Sequence, residues 1–393
     1  MLGKRTLTGL IVGALSVVVI ACGGEATSGG GGSTEPSTGA TTAAATASGP
    51  ADPASCQGKT LSFLGLAGEE GEQELKDWRA ERDLKLKVTS SADWGQLIGA
   101  LRAGQPYDLA SIPYREAQRM IKAGIFQPIA VERLTNWDDL FPAFNETPLI
   151  RGEDGAVYGV PIAWGDSPYI YVPDRVDDPP SSIKDLMDPA WKGRFVMLDD
   201  PGFVFYLLAE ANGFDEAPLL TQEQLDTVAE QAKQIVANAA AFSTSYQDET
   251  DRLVAGDVDL AIDGWEAMIT WAKGKGTTVE AGFFEEKASG GWWDGLAIPS
   301  TVEDAECALA YIDAVIAPDP QAKLATNLVS GATNREAVAL LPAKMEGLYD
   351  YSTMETPEAA REFAPINPPE DTEPGIMNSQ DWSKAWKEVK ASK

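Results

Sequence analysis

Histidine is absent from all 393 residues of this chain, and cysteine occurs only three times. Without histidine the chain has no Ser-His-Asp or Cys-His triad and no imidazole-ligated metal, which removes most hydrolase and zinc-enzyme classes. The cysteines, Cys22, Cys56 and Cys307, show no C-x-x-C spacing and so do not indicate redox catalysis. A glycosidase that needs only two carboxyl groups survives these exclusions.

Basic residues are scarce. The chain has 31 lysines and arginines against 60 aspartates and glutamates, a formal net charge of −29. Phosphates would be repelled, so we expect no nucleic-acid partner, whereas small cations would be attracted. Solubility alone would also account for the charge. The sequence indicates neither a cofactor nor a metal.

The N-terminus resembles that of an exported lipoprotein. Lys4 and Arg5 precede an apolar stretch, 10–20, that is short for a membrane span, and Ala21-Cys22 follows it. The end of this stretch resembles a bacterial lipobox, which implies a signal peptide over residues 1–21 and a lipid on Cys22. A plain secretory signal or an uncleaved anchor is the alternative.

Residues 22–56 consist mostly of Gly, Ser, Thr, Ala and Pro, so they predict a flexible, lipid-anchored linker rather than a folded domain. The body would then lie at the cell surface or in the periplasm, held to the membrane by the lipid alone. Two remaining cysteines in an oxidising compartment favour a Cys56–Cys307 disulfide, and two buried free thiols are the alternative.

Strands and helices alternate along the body, which predicts an α/β fold with largely parallel sheets. Predicted strands cover 61–64, 84–88, 107–110, 194–198 and 258–262. Predicted helices cover 72–82, 94–102, 116–122, 203–211 and a segment from Pro299 to about Ile316. Ligands of open α/β sheets bind beyond the carboxyl ends of strands, where Glu69, Asp200 and Trp265 fall.

The run GGWWDGLAIPS, residues 290–300, places two tryptophans directly before an aspartate. In an extended segment Trp292 and Asp294 share one face and Trp293 occupies the other. An aromatic ring beside a carboxylate suits an organic cation. A core tryptophan next to a solvated aspartate is the alternative.

Four segments, in this order along the chain, resemble the extracellular solute-binding proteins of ABC importers, in particular the spermidine/putrescine-binding branch. They are YDLASIPYREAQRMIKAGIFQPI (107–129), SSIKDLMDPAWKGRFVMLDDP (181–201), LVAGDVDLAIDGWEAMITWAKGKG (253–276) and WWDGLAIPSTVEDAECALAYIDAVIAPDPQAKLATNLVSGATN (292–334).

The resemblance implies a two-lobed periplasmic-binding-protein fold, with two mixed sheets flanked by helices and a hinge between the lobes. We expect residues 57–162 and 293–340 in the first lobe, and residues 163–292 and 341–393 in the second.

The resemblance also implies a ligand site. Trp292 and Asp294 match a W-x-D motif whose indole packs on the polyamine and whose carboxylate holds an amine. Trp265 matches a second cleft tryptophan, and Asp200 matches a carboxylate at a strand end.

Other positions depart from the family pattern. Leu66 and Glu69 stand where the family usually has Trp and Tyr, and Phe203, Gly331 and the Pro113-Tyr114-Arg115 segment replace further binding residues. We predict Glu69, Tyr114 and Asp166 as replacement ligand residues.

We therefore expect a monomeric, lipid-anchored substrate-binding protein rather than an enzyme. It would capture a small organic cation, expected to be a polyamine such as putrescine or spermidine, and deliver it to an ABC permease. A sugar receptor and a two-carboxyl glycosidase are the alternatives, and Arg115 keeps an anionic ligand open.

Overall fold

The structure, a computed structural model, describes residues 49–91, 94–243, 245–286, 291–345, 347–357, 359, 363 and 366–393. The predicted signal peptide, Cys22 and most of the predicted linker lie outside these residues. Ser48–Lys393 form one compact unit. Over the part of the chain that the structure describes, no helix combines the length and apolar character needed to cross a membrane.

The strands are short and mostly apolar. They are β1 Thr60–Gly65, β2 Lys85–Ser90, β3 Leu109–Pro113, β4 Val160–Gly165, β5 Tyr169–Tyr171, β6 Phe195–Leu198, β7 Ala241–Ser243, β8 Leu260–Ala261, β9 Glu280–Gly282 and β10 Trp292–Ala297.

The α-helices alternate with the strands through much of the chain. They are α1 Lys76–Ala80, α2 Trp94–Arg102, α3 Ala117–Lys122, α4 Pro142–Asn145, α5 Pro201–Ala211, α6 Gln222–Asn238, α7 Tyr246–Ala255, α8 Ala267–Gly274, α9 Glu306–Val315, α10 Pro318–Leu328 and α11 Ser379–Ala391.

Two five-stranded mixed sheets organise the body. The first has the order β2-β1-β3-β10-β4, and the second has the order β7-β6-β8-β5-β9. In the first sheet β1 runs parallel to β2 and β3, whereas β10 runs antiparallel to β3 and β4. In the second sheet β6 runs parallel to β7 and β8, whereas β5 runs antiparallel to β8 and β9. The predicted α/β class and the two mixed sheets of a two-lobed fold are confirmed.

We call the part of the body built on each sheet the first and the second lobe. The first lobe has its own hydrophobic core, to which β1, β3, β4, β10 and α9 contribute. The second lobe buries two further clusters around its own strands, one of which includes the α11 residues Trp382 and Trp386. A disulfide joins Cys56 to Cys307 at the start of α9, with the two Cα atoms 4.8 Å apart.

The helix predicted from Pro299 begins later in the structure, at Glu306. Pro299 still pairs with Phe126 in an antiparallel bridge, and the Ser300 N–H donates to the Ile125 carbonyl at 2.8 Å. Extended backbone therefore continues past β10, because these long-range hydrogen bonds satisfy groups that a local helix would otherwise pair.

Candidate functional site

Loops at the ends of strands from both lobes enclose a cavity of about 430 Å³. Five of the residues predicted from the sequence line it: Glu69, Tyr114, Trp265, Trp292 and Asp294. They follow β1, β3 and β8 or lie on β10, so the carboxyl ends of the parallel strands meet here as the fold class requires. The other lining residues are Leu66, Ala67, Pro113, Arg115, Ala163, Ser167, Tyr246 and Leu328.

The two adjacent tryptophans of β10 have different environments. Trp292 and Asp294 are partly exposed toward the cavity, whereas Trp293 is 0% exposed and belongs to the core of the first lobe. Alternation along an extended strand produces this difference. Gly165 on β4 leaves room for the indole, since a Cβ there would come within 2.8 Å of Trp292.

Aromatic side chains from the two lobes contact each other at the cavity. Trp265 of the second lobe meets Trp292 edge-on, with ring centroids 6.2 Å apart and an interplanar angle of 83°. Trp265 also contacts Tyr246 and Trp271, at centroid distances of 6.0 and 5.4 Å. Ring faces and edges thus form an apolar surface suited to an alkyl chain.

Two carboxyl groups form the polar end of the cavity. Glu69, which is 4% exposed, is hydrogen-bonded to the Asp294 side chain and also accepts from the Ser111 hydroxyl. Two ionised carboxylates in direct contact repel each other, so such a pair holds a proton between them.

Burial and mutual repulsion favour that shared proton by raising the pKa of both groups. Burial, followed by the charge of Asp294, raises the pKa of Glu69 well above its usual value. Burial raises the pKa of Asp294 to about 7, against the lowering effects of the Glu69 hydrogen bond and the Arg115 charge. Near neutral pH the pair therefore carries at most one negative charge, and a bound cation would favour its ionised form and donate hydrogen bonds to it.

Arg115, directly after Tyr114, reaches across the cleft. Its Nη1 donates to Asp200 Oδ2 at 2.6 Å and its Nε donates to the Tyr114 hydroxyl at 2.8 Å. Asp200 belongs to the second lobe, so this ion pair joins the two lobes. The sequence indicates Arg115 only as a residue that could bind an anionic ligand, because no local pattern predicts that Asp200 is its ion-pair partner.

Asp200 is placed by the helix that follows it. It is the N-cap of α5, and its Oδ1 accepts the backbone N–H of Gly202 at 2.8 Å and that of Phe203 at 3.4 Å. Nearby Asp263 is 4% exposed. Burial and the charge of Asp200 raise the Asp263 pKa to about 7, against the opposing effect of Arg115. Asp200 lies next to the cavity through Arg115 but is not among its lining residues.

Asp166, the remaining predicted ligand residue, lies between β4 and β5, where the chain passes from one lobe to the other. It does not line the cavity. Its backbone is hydrogen-bonded to the carboxyl of Glu266. The same carboxyl accepts a hydrogen bond from the Tyr349 hydroxyl at 3.3 Å. Burial chiefly, with the Asp166 charge, raises the pKa of Glu266 to about 8.

Gly331 stands where the family has a binding residue, and the Trp164 ring occupies the space beside it. A Cβ at Gly331 would lie 2.2 Å from the Trp164 ring, whose Nε1 donates to the Ala332 carbonyl at 2.9 Å. Trp164 is buried against Tyr349 and Phe363, with centroid distances of 5.2 and 6.3 Å. The glycine therefore serves packing in the first lobe.

Several lining residues could not be predicted from the sequence, chiefly Tyr246 and Ser167. Tyr246 begins α7 directly after β7, a strand of only three residues whose pattern is too short to recognise. Within the described ranges no group of three or more His, Cys, Asp or Glu side chains is arranged to hold a metal ion.

A two-lobed α/β body with a ligand-sized cavity at the strand ends of both sheets defines a solute-binding protein. The bacterial extracellular solute-binding protein family matches residues 75–350, and the chain belongs to that family.

Relatives in this family include polyamine-binding proteins. The spermidine/putrescine-binding periplasmic protein of Salmonella typhimurium is 28% identical over 238 residues, covering 60% of this chain and 66% of the relative. The putrescine-binding periplasmic protein PotF of Escherichia coli is 21% identical over 368 residues, covering 88% of this chain and 90% of the relative.

Solved structures share the fold. The spermidine/putrescine substrate-binding protein PotD from Streptococcus pneumoniae superimposes with a TM-score of 0.67 at 15% identity, covering 84% of this chain and 97% of that one. The TpPotD lipoprotein of Treponema pallidum reaches 0.68 at 14% identity, covering 84% and 99%. The predicted family and two-lobed fold are thus confirmed.

Proposed function

We propose that this protein captures a small organic amine in the cavity between its lobes and delivers it to the permease of an ABC importer. The observation that carries the proposal is the Glu69–Asp294 carboxyl pair beside the Trp265–Trp292 aromatic surface. Acid groups hold an ammonium group, while indole rings cover methylene groups.

The relatives named above support the amine class, since their names state spermidine and putrescine as ligands. A polyamine for this chain stays a prediction. Glu69, Tyr114, Trp265, Trp292 and Asp294 would contact the ligand, and Asp200 and Asp166 would act from outside the lining. We keep residues 57–162 with 293–340, and 163–292 with 341–393, as the proposed lobes, with one change. The strands β4 and β10 and the core residues Tyr349 and Phe363 go with the first sheet, so Gly165 and Trp292 belong to the first lobe.

Lobe closure around the ligand would be the signal that the permease recognises. The protein would act as a monomer outside the cytoplasm, held by a lipid on Cys22. Replacement of Cys22 by serine tests the anchor: the variant should appear in the soluble extracellular or periplasmic fraction, whereas the wild-type protein sediments with membranes. Equal sedimentation of both, with no lipid found on Cys22 of the wild-type protein by mass spectrometry, would contradict the lipid anchor.

The short distance between the Glu69 and Asp294 carboxyl groups favours binding over glycoside hydrolysis. A glycosidase needs two carboxyl groups about 5 to 9.5 Å apart, with room for a sugar between them. Glu69 and Asp294 are instead in hydrogen-bond contact with each other. This contact favours a site for a cation over a site for glycoside hydrolysis.

A thermal-shift panel tests the ligand class. Monoamines, putrescine, spermidine, amino acids and sugars are each added to the purified protein, and only the amines should raise its unfolding temperature. Raised ionic strength should weaken amine binding, because charged groups carry it, while sugar binding would barely respond. Stabilisation by sugars alone would overturn the proposal.

A further inference from the structure

We propose that Arg115 is a specificity residue: its guanidinium occupies the place of a second ligand cation, so the cavity accepts amines with one ammonium group and disfavours diamines. This proposal rests on the proposed function, narrows its ligand class from amines in general to monoamines, and thereby departs from the polyamine prediction. It follows from how the carboxyl groups of Asp200 and Asp294 are partnered, which differs between the two residues.

Both side-chain oxygens of Asp200 already accept hydrogen bonds. Oδ1 accepts the N–H groups of Gly202 and Phe203 as a helix cap, and Oδ2 accepts Arg115 Nη1 at 2.6 Å. A ligand ammonium group that approached Asp200 would have to displace the guanidinium or lie beside it. Both arrangements cost free energy, through loss of a charged hydrogen bond or through repulsion of like charges.

Arg115 also counters the other acids of the cleft. It lowers the pKa of Asp263 and of Asp294 through its charge, against the stronger effect of burial at both sites. Among the described residues that line the cavity, Arg115 is the single lysine or arginine. The guanidinium of Arg115 thus partly neutralises the carboxyl groups of Asp200 and Asp263.

Asp294 lines the same cavity and is hydrogen-bonded to Glu69, which also accepts from the Ser111 hydroxyl. Because the two groups share a proton, the pair carries at most one negative charge, which matches one ammonium group. The indoles of Trp265 and Trp292 lie on the same cavity and would cover the alkyl chain that leads away from that group. Arg115 lines the same cavity, so we expect the other end of the ligand to meet its guanidinium.

The group that meets Arg115 should be neutral or able to accept hydrogen bonds. Only Nε and Nη1 of the guanidinium have hydrogen-bond partners within the described part of the chain. The Nη2 group can therefore donate to a ligand oxygen, for which a hydroxyl is the smallest candidate. An ammonium group offers no acceptor.

Two ligands of the same length separate the alternatives. 4-Amino-1-butanol and putrescine differ only by a hydroxyl in place of one ammonium group. Isothermal titration calorimetry on the full folded protein should show wild-type affinity for the amino alcohol at least about tenfold higher than for putrescine, since like charges meet in the putrescine complex. Arg115→Met should reverse the order, because the second ammonium group can then reach Asp200.

Three further variants serve as controls. Arg115→Gln repeats the charge removal with a polar side chain, in case the methionine variant does not fold. Arg115→Lys keeps the charge and should keep the preference for the amino alcohol. Arg119→Met removes an equal charge from α3, where Arg119 pairs with Glu116 and Glu370 outside the cavity, and should behave as the wild-type protein.

The outcomes distinguish this proposal from the proposed function. Wild-type binding of putrescine as tight as, or tighter than, that of the amino alcohol would overturn the role of Arg115 and leave amine capture intact. The same role fails if both neutral variants fold and keep the wild-type order of affinities. Absence of any amine binding by the wild-type protein would overturn the proposed function and this proposal together.

Discussion

Arg115 and Asp200 form an ion pair that crosses the cleft, with Nη1 and Oδ2 2.6 Å apart between residues separated by 85 positions in the chain. Arg115 follows β3 in the first lobe, and Asp200 follows β6 in the second. Both side chains are about one-quarter exposed, at 26% and 24%, so water screens the pair only in part. The contact gives the lobes a mutual attraction that does not depend on a ligand.

Asp200→Asn should therefore leave the ligand-free protein more open. Asparagine caps a helix about as well as aspartate, so α5 is preserved while the ion pair with Arg115 is lost. We expect a larger radius of gyration in small-angle scattering and a loss of about 1 kcal/mol in the free energy of unfolding.

The neighbouring Asp199 offers a matched control. It accepts from Trp386 and Lys390, both at 2.6 Å and both in the second lobe. Asp199→Asn removes the same charge without affecting the cleft, so its scattering should match that of the wild-type protein. Identical scattering from both variants would contradict an interlobe role for Asp200.

Trp292 and Trp293 should have separate roles in binding and stability. Trp292→Ala should weaken amine affinity by about tenfold, because the ring that covers the ligand is lost while the strand remains. Trp293→Ala should lower the free energy of unfolding by about 3–5 kcal/mol, because it leaves a cavity in the first-lobe core. Titration calorimetry and urea unfolding of both variants measure the two effects, and similar losses in both assays would refute the division.

Amine affinity should rise with pH. The amines stay charged up to about pH 10, whereas Asp294, with a pKa of about 7, shares its site with Glu69, whose pKa is also raised. Ser111 and Arg115 are the other polar groups that act on this pair. A bound ammonium group favours the ionised form, so binding releases protons, and affinity should increase by up to about tenfold per pH unit below pH 7.

Calorimetry in phosphate and MOPS buffers at pH 7 measures the proton release directly, because their ionisation enthalpies differ and neither is a primary amine that would compete for the site. Glu69→Gln fixes the neutral form at one position and should reduce the release. An affinity that does not change between pH 6 and pH 8 would show that the carboxyl pair does not contact the ligand.

The buried Glu266 predicts a stability that falls as pH rises. Its pKa lies near 8 in the folded protein against an ordinary value of 4.5, chiefly through burial, with Asp166 and Tyr349 as neighbours. The folded protein thus holds a proton that the unfolded chain releases above pH 4.5. This contribution to stability is complete below pH 4.5 and is lost as pH rises toward 8, at ~1.4 kcal/mol per pH unit.

Glu266→Gln mimics the protonated carboxyl and should reduce the slope of stability against pH between pH 5 and pH 8, while Asp263 and the Glu69–Asp294 pair keep their own contributions. Urea unfolding at both pH values measures the change. Glu230→Gln, on the exposed side of α6, is the control and should keep the wild-type slope. An unchanged slope in the Glu266 variant would show that this residue does not couple pH to folding.

Local pattern predicted the elements whose signals lie in a few consecutive residues. Alternation along β10 correctly placed Trp292 and Trp293 on opposite faces, and strand ends pointed to Glu69 and Trp265. Helix α6 was overlooked although its apolar residues have helical spacing and a capping box joins Thr221 to Gln224. Strands β5, β7 and β9, three residues each, are too short for periodicity to identify.

The sequence by itself determined the α/β class, the family and the chemical character of the cleft, because these depend on periodicity, composition and motif order. Tertiary structure decided which carboxyl groups share a proton and which is neutralised by a guanidinium. Glu69 follows β1 and Asp294 lies on β10, and they can meet because only β3 lies between these two strands in the first sheet. Arg115 reaches Asp200 because the two lobes face each other. Charges distant in sequence change each other's state only when folding removes the water between them.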